Sequence, residues 1–126
     1  MINLAAVVVG GGIGAGLRFL LATYVSRLYG GLFPLGTVLV NVTGSFAIGI
    51  LMTFFLYRTE LNPAWRLFLV TGILGGYTTF SSFEWETFAT YKGGAPLIAI
   101  SNALLSVVLG YGGVWLGYLL ARKRGS

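Results

Sequence analysis

The chain has 126 residues, of which 56% are hydrophobic and 9% are charged, and its formal net charge is +5. Its mean hydropathy is +0.87, whereas about a quarter of the residues in an average soluble domain are charged. Eight basic and three acidic side chains are too few to cover the surface of a soluble domain of this size. We therefore expect an integral membrane protein and exclude a soluble globule and a disordered chain.

The residue types that are missing exclude several kinds of chemistry. The sequence has no histidine, no cysteine and no aspartate, which removes thiolate or imidazole metal sites and nucleophilic catalysis based on histidine or cysteine. We expect no enzymatic activity. The basic residues are scattered in the gaps between apolar runs rather than gathered on one face, so we also expect no nucleic-acid partner.

Four apolar runs follow one another, and each is long enough to cross a hydrocarbon core of ~30 Å as a helix. The gaps between them are short and contain glycine, proline or charged residues, so neighbouring helices should be antiparallel. We predict an all-α membrane protein with one transmembrane domain over residues 1–126. The predicted helices cover about 4–25, 35–57, 65–89 and 96–120.

The first span contains the glycine-rich run 10–15, which fits a dinucleotide-binding fingerprint as well as a helix-packing surface. The fingerprint needs an acidic residue about 20 positions further on, and the first acidic residue here is Glu60. We therefore interpret these glycines as a surface for close helix packing.

The loop charges give only a weak orientation signal. With four spans, five basic residues share the side of the two termini, and three lie near the other side. This distribution fits either a modest preference for both termini in the cytoplasm or a chain that inserts both ways. The five are Arg58, Arg66, Arg122, Lys123 and Arg124, and the three are Arg18, Arg27 and Lys92.

The third span is the least regular. Gly75-Gly76 followed by the β-branched pair Thr78-Thr79 is a poor centre for a helix. Broken helices at membrane depth occur where the freed backbone groups line a cavity or bind an ion. We expect a break near the midplane; the alternative is a tightly packed glycine contact in an unbroken helix.

Near this break the sequence places groups that suit an anion. Phe80 and Phe83 lie three apart on one helix face, and aromatic ring edges carry partial positive charge. The amide of Asn41 in the second span supplies hydrogen-bond donors. Core packing and helix–helix hydrogen bonding remain the alternatives. Asn102 and Ser106 in the fourth span lie four apart, on a pore wall or on a dimer seam.

Two carboxylates follow the break. Glu86 lies close to the predicted far interface, where it is either a wetted headgroup residue or part of an ion entrance. Glu84 is deeper and is a candidate proton site of a carrier.

The sequence resembles the bacterial fluoride ion channel family of small four-helix proteins over nearly its whole length. Glycine-rich runs and short polar pairs carry the resemblance, and the stretch 75–83 is its most specific part. The matching segments are Gly-Gly-Gly-Ile-Gly-Ala-Gly-Leu-Arg at 10–18, Gly36-Thr37, Val40-Asn41 with Gly44, and Gly-Gly-Tyr-Thr-Thr-Phe-Ser-Ser-Phe at 75–83.

This resemblance implies an antiparallel, dual-topology homodimer in the bacterial cell inner membrane, with two fluoride pores and a structural sodium ion at its centre. Backbone carbonyls of Gly75 and Thr78 would hold the sodium ion, and Arg18 and Glu86 would lie at a pore entrance. The expected partners are the fluoride ion, a second copy and membrane lipid. The expected pore residues are Asn41, Thr79, Phe80, Ser81, Phe83, Asn102 and Ser106.

The sequence departs from the family pattern at one position and meets a variable position at another, and two other functions remain as alternatives. Ser82 stands where threonine is common, and the family's polar track varies at Asn102. The main rival is a small four-helix, proton-coupled multidrug exporter, which needs a carboxylate in its first span, where this chain has none. A non-transporting scaffold subunit is a second rival.

Overall fold

The computed structural model describes residues 1–125, and its regular elements there are all helical. This confirms the predicted all-α class. Leu67–Leu74 forms a π-helix that joins two α-helical segments without a gap. The α-helices are α1 (Ile2–Leu28), α2 (Leu35–Tyr57), α3 (Pro63–Arg66), α4 (Gly75–Tyr77), α5 (Phe80–Lys92) and α6 (Pro96–Gly125).

Three of these helices, α1, α2 and α6, are long and apolar enough to cross a membrane. The predicted spans 4–25, 35–57 and 96–120 fall within them. The predicted span 65–89 is divided among shorter elements in the segment 63–92. The count of four spans and the single domain over 1–126 stay predictions, and Ser126 lies outside the described residues.

The segment 63–92 contains the expected broken helix. It begins at α3, where the Asn62 side chain accepts a hydrogen bond from the Ala64 amide at 2.9 Å and Pro63 occupies the first turn. The helix continues through Gly75-Gly76 and ends at Tyr77. Thr78 (φ −80°, ψ 156°) and Thr79 (φ −148°, ψ 119°) are extended before α5 begins. The break therefore lies at the threonine pair, near the middle of 63–92, and not at the glycine pair.

Glycines bring the backbone of α1 into direct contact with this segment. A Cβ atom added at Gly14 would overlap the Ile73 carbonyl, and one added at Gly76 would overlap the Gly11 carbonyl. The α2–α6 pair is similar, because a Cβ on Gly117 would overlap the Phe46 carbonyl. The packing interpretation of the first span is thus confirmed for Gly10 and Gly14, whereas a Cβ on Gly12 or Gly16 would meet no atom within 4 Å.

The outward surface of the described helices is strongly apolar. Leu20, Val108 and Leu104 are more than 60% exposed, as membrane-facing side chains are. Close contacts between glycine backbones, rather than a large core of aliphatic side chains, fix how the helices lie against one another.

Candidate functional site

The break frees backbone groups that an unbroken helix would pair, and Asn41 of α2 pairs two of them. The Thr79 amide donates to Asn41 Oδ1 at 2.8 Å, and Asn41 Nδ2 donates to the Thr79 carbonyl at 3.0 Å. The carboxamide thus binds the extended residue as a neighbouring β-strand would. Because Nδ2 carries two hydrogens, one N–H of Asn41 remains for another acceptor.

Other side chains complete the pairing around the break. Arg18 of α1 donates through Nε to the Gly76 carbonyl at 3.2 Å, the acceptor that Phe80 N–H would reach in a continuous α-helix. The Thr79 hydroxyl accepts from the Ser82 amide at 3.2 Å and caps α5. The Thr78 hydroxyl donates to the Leu74 carbonyl at 2.9 Å. The break is therefore a built feature with side-chain partners from α1 and α2.

Backbone carbonyls at the break are left without a hydrogen bond. None from residues 1–125 reaches the carbonyls of Gly75, Tyr77 and Thr78. Within the same range, no group of three acidic, histidine or cysteine side chains is placed to hold a metal ion. Unpaired backbone carbonyls are the cation donors that the break itself offers.

A cavity of about 370 Å³, called the central cavity below, lies beside the break. Its polar and aromatic wall comes from three elements: α2, the residues around the break and α6. Over the part of the chain that the structure describes, no ionisable side chain lines it. The wall residues with ring, amide or hydroxyl groups are Asn41, Ser45, Thr78, Thr79, Phe80, Phe83 and Ser106.

The two phenylalanines line this cavity but differ in environment. Their ring centroids are 6.0 Å apart, with the planes inclined by 56°. Phe83 is 8% exposed, whereas Phe80 is 75% exposed. Phe83 is thus fixed within the subunit, and Phe80 presents its ring to whatever lies outside it.

Two further cavities lead outward from the break. The first, called the outer recess below, has a volume of about 240 Å³ and is lined by Arg18, Thr37, Thr79 and Glu86. Thr37 and Glu86 also line the second cavity, of about 450 Å³, which lies next to the loop between α1 and α2. The Thr37 hydroxyl donates to the Glu86 carboxylate, at 2.5 Å to one oxygen and 3.0 Å to the other. Arg18 and Glu86 therefore line one recess beside the break, and Thr79 borders both this recess and the central cavity.

The predicted α6 residues occupy different positions. Ser106 lines the central cavity. Asn102 is 1% exposed and lies between α6 and α5, where its Nδ2 donates to the Thr87 hydroxyl at 2.8 Å. Ser81 and Glu84 are exposed on α5 and are not among the residues that line the central cavity or the recess.

The family model described as CrcB-like protein, Camphor Resistance (CrcB), matches residues 5–118. The chain belongs to this family. A similar protein from Solibacter usitatus, named fluoride-specific ion channel FluC, is 53% identical over 117 residues, which are 93% of this chain and 96% of the relative. Proteins with the same name from Roseiflexus sp. and Coxiella burnetii are each 44% identical, over 95% and 96% of this chain and 97% and 98% of their own lengths. The resemblance to the fluoride channel family is thus confirmed.

Sequence reasoning did not assign two residues that the CrcB-like chain places at this site. Thr37 binds Glu86, and Ser45 lines the central cavity. Both lie four residues from Asn41, so Thr37, Asn41 and Ser45 share one face of α2. The spacing of four residues on each side of Asn41 is the feature of the sequence that could have indicated Thr37 and Ser45.

Proposed function

We propose that this chain is a fluoride-selective ion channel of the bacterial inner membrane that lets fluoride leave the cell passively. The observation that carries the proposal is the central cavity, where the spare Asn41 N–H and the Phe80 and Phe83 rings meet beside a break in the chain. Similarity over nearly the full length to proteins named fluoride-specific ion channels supports it.

The chemistry of the cavity suits a small, strongly hydrated anion. An amide N–H, hydroxyl groups and ring edges replace part of the hydration shell without a fixed positive charge. Such a site binds weakly enough to release the ion, as conduction requires. Arg18 and Glu86 line the outer recess instead, where they would attract or screen an entering anion.

The functional unit in this proposal is an antiparallel homodimer with two pores. Phe80 is 75% exposed in one subunit although its neighbour Phe83 is buried, so a second copy would complete the surroundings of this ring. An inverted partner is compatible with the weak charge asymmetry of the loops, five basic residues against three. The bilayer would cover the remaining apolar faces.

The same arrangement would provide a site for a structural sodium ion. Carbonyl oxygens are the hard donors that such a cation takes, and those of Gly75 and Thr78 have no hydrogen bond from the described residues. The chain therefore fits the ion. A bound sodium ion would compensate the partial negative charge of these carbonyls where two subunits meet.

Fluoride efflux from liposomes tests the function directly. Purified protein is reconstituted into vesicles loaded with potassium fluoride, and a potassium ionophore is added while an electrode records external fluoride. We expect rapid fluoride release, little chloride release under matched conditions, and no change when a protonophore collapses the proton gradient. Release that requires a proton gradient would indicate a coupled exporter, and vesicles that retain fluoride would indicate a non-transporting subunit.

A further inference from the structure

A chain of three hydrogen bonds connects the central cavity to the backbone of α5. Ser106 Oγ lies 3.1 Å from Asn102 Oδ1, Asn102 Nδ2 lies 2.8 Å from Thr87 Oγ1, and Thr87 Oγ1 lies 2.8 Å from the Phe83 carbonyl oxygen. Asn102 is only 1% exposed, so water does not replace its partners.

The last of these hydrogen bonds, from Thr87 to the Phe83 carbonyl, determines which group donates and which accepts in the other two. The Phe83 carbonyl can only accept, so at 2.8 Å the Thr87 hydroxyl must donate its single hydrogen to it. The Thr87 oxygen can then only accept from Asn102, which requires the NH₂ group on that side of the carboxamide. Oδ1 of Asn102 therefore faces Ser106, and the Ser106 hydroxyl must donate to it. The reverse direction would bring two acceptors together in a buried place.

The consequence for the cavity is that Ser106 presents lone pairs to it. An anion needs hydrogen-bond donors, and the Ser106 hydrogen points away toward Asn102. The Thr78 hydroxyl is also committed, because it donates to the Leu74 carbonyl.

Other groups on the same wall keep their hydrogens. Ser45 makes no hydrogen bond to another side chain or to the backbone within residues 1–125. The Thr79 hydroxyl accepts from Ser82 N–H and retains its own hydrogen. Together with the second N–H of Asn41, these are the donors that the cavity offers.

We propose that Asn102 is a positioning residue that keeps the Ser106 hydrogen out of the anion path, so that Ser45 and not Ser106 is the serine that donates to the ion. This inference rests on the proposed fluoride conduction. Ser106 then binds a hydrogen-bond donor, such as a water molecule that moves with the anion. The donor set for the anion is Asn41, Ser45 and Thr79.

A matched pair of substitutions tests the assignment, since Ser45→Ala and Ser106→Ala each remove one hydroxyl from the same cavity wall. In the fluoride-efflux measurement we expect Ser45→Ala to lower the initial rate about tenfold, the effect of one lost hydrogen bond to a charged group. Ser106→Ala should lower the rate less, about twofold, because Ser106 binds water and not the anion in this proposal. Equal losses in both variants, or a normal rate for Ser45→Ala, would overturn the proposal. Absence of fluoride release from the unmodified protein would instead count against the proposed function.

Asn102→Leu tests the positioning role, because leucine keeps the volume but removes the side-chain oxygen that accepts from Ser106. In this background the Ser106 hydroxyl can turn toward the cavity and donate. We therefore expect Ser106→Ala to lower fluoride release at least about fivefold when Asn102 is leucine, compared with about twofold when Asn102 is present. A Ser106→Ala effect that is the same in both backgrounds would contradict the role of Asn102. If Asn102→Leu does not fold, as shown by size-exclusion chromatography, Thr87→Val takes its place in the same comparison, because it removes the hydroxyl that fixes the orientation of the Asn102 carboxamide.

Discussion

The glycine contacts of α1 with residues 67–77 and the break at Thr78-Thr79 lie in the same span but differ in how the backbone polar groups are paired. Along the glycine contacts every helix satisfies its own backbone, so association depends on removing side chains until the backbones touch. At the break the backbone groups lose their helical partners, and Asn41 and Arg18 must reach across from other helices to pair them. Small residues therefore determine packing, and polar residues determine where the fold opens a site.

The largest effect that we expect comes from adding one methyl group to the glycine contact. Gly14→Ala would place its Cβ against the Ile73 carbonyl, and overlap with backbone should destabilise the protein by at least about 3 kcal/mol. Gly16→Ala is the control, since a Cβ there meets no atom within 4 Å and alanine favours helix by about 1 kcal/mol. Thermal unfolding in detergent measures both. Equal unfolding midpoints would contradict the close contact.

Fluoride release should be sensitive to a negative charge placed beside the break. Asn41→Asp replaces the N–H that binds the Thr79 carbonyl with an acceptor and adds a fixed negative charge at the cavity. We expect fluoride release to fall about a hundredfold or more, which is ~2.7 kcal/mol. The control is Asn62→Asp, because aspartate caps a helix as well as asparagine does. Normal release by Asn41→Asp would exclude Asn41 from the ion path.

The ring edges should matter for conduction and not for assembly. Phe80→Ile and Phe83→Ile keep an apolar side chain but remove the electropositive edge, so we expect fluoride release to fall about tenfold or more. Both variants should elute at the volume of the unmodified protein in size-exclusion chromatography. Unchanged release in both variants would remove the ring-edge explanation.

A smaller effect is expected from the bond between Arg18 and the Gly76 carbonyl. Arg18→Met keeps the apolar stem but removes the donor, and we expect a loss of about 1 kcal/mol in stability. Arg27→Met, at the exposed end of α1, is the control. If both variants unfold at the same temperature, the bond contributes nothing measurable to the break.

Sequence reasoning reached the features that depend on local pattern. Apolar run lengths give α1, α2 and α6, and the glycine spacing of 10–16 gives a packing surface. The break was also predictable, because glycine and β-branched residues are weak helix formers. Its exact position within 75–79 was not, since the helix continues through Gly76, which packs directly against Gly11 of α1. That contact depends on the tertiary fold.

At the site, too, local sequence pattern predicts some features and the tertiary fold determines the others. Asn41, Phe80 and Phe83 line one cavity, as motif and spacing predict. The partners of each polar group depend on neighbouring helices, which periodicity along one helix does not specify. Asn102 therefore bonds to Thr87 of α5, and Ser45 lines the cavity although no motif singled it out. The pore roles of all the predicted residues, the entrance roles of Arg18 and Glu86 and the sodium site stay predictions.

Current through the protein in a planar bilayer, with fluoride at different concentrations on the two sides, is the most direct test of anion conduction beside the break. We expect the current to reverse at the equilibrium potential of fluoride, with no shift when chloride or pH differs across the bilayer. A reversal potential that follows the pH or chloride gradient, or the absence of current from correctly folded protein, would contradict a fluoride-selective path.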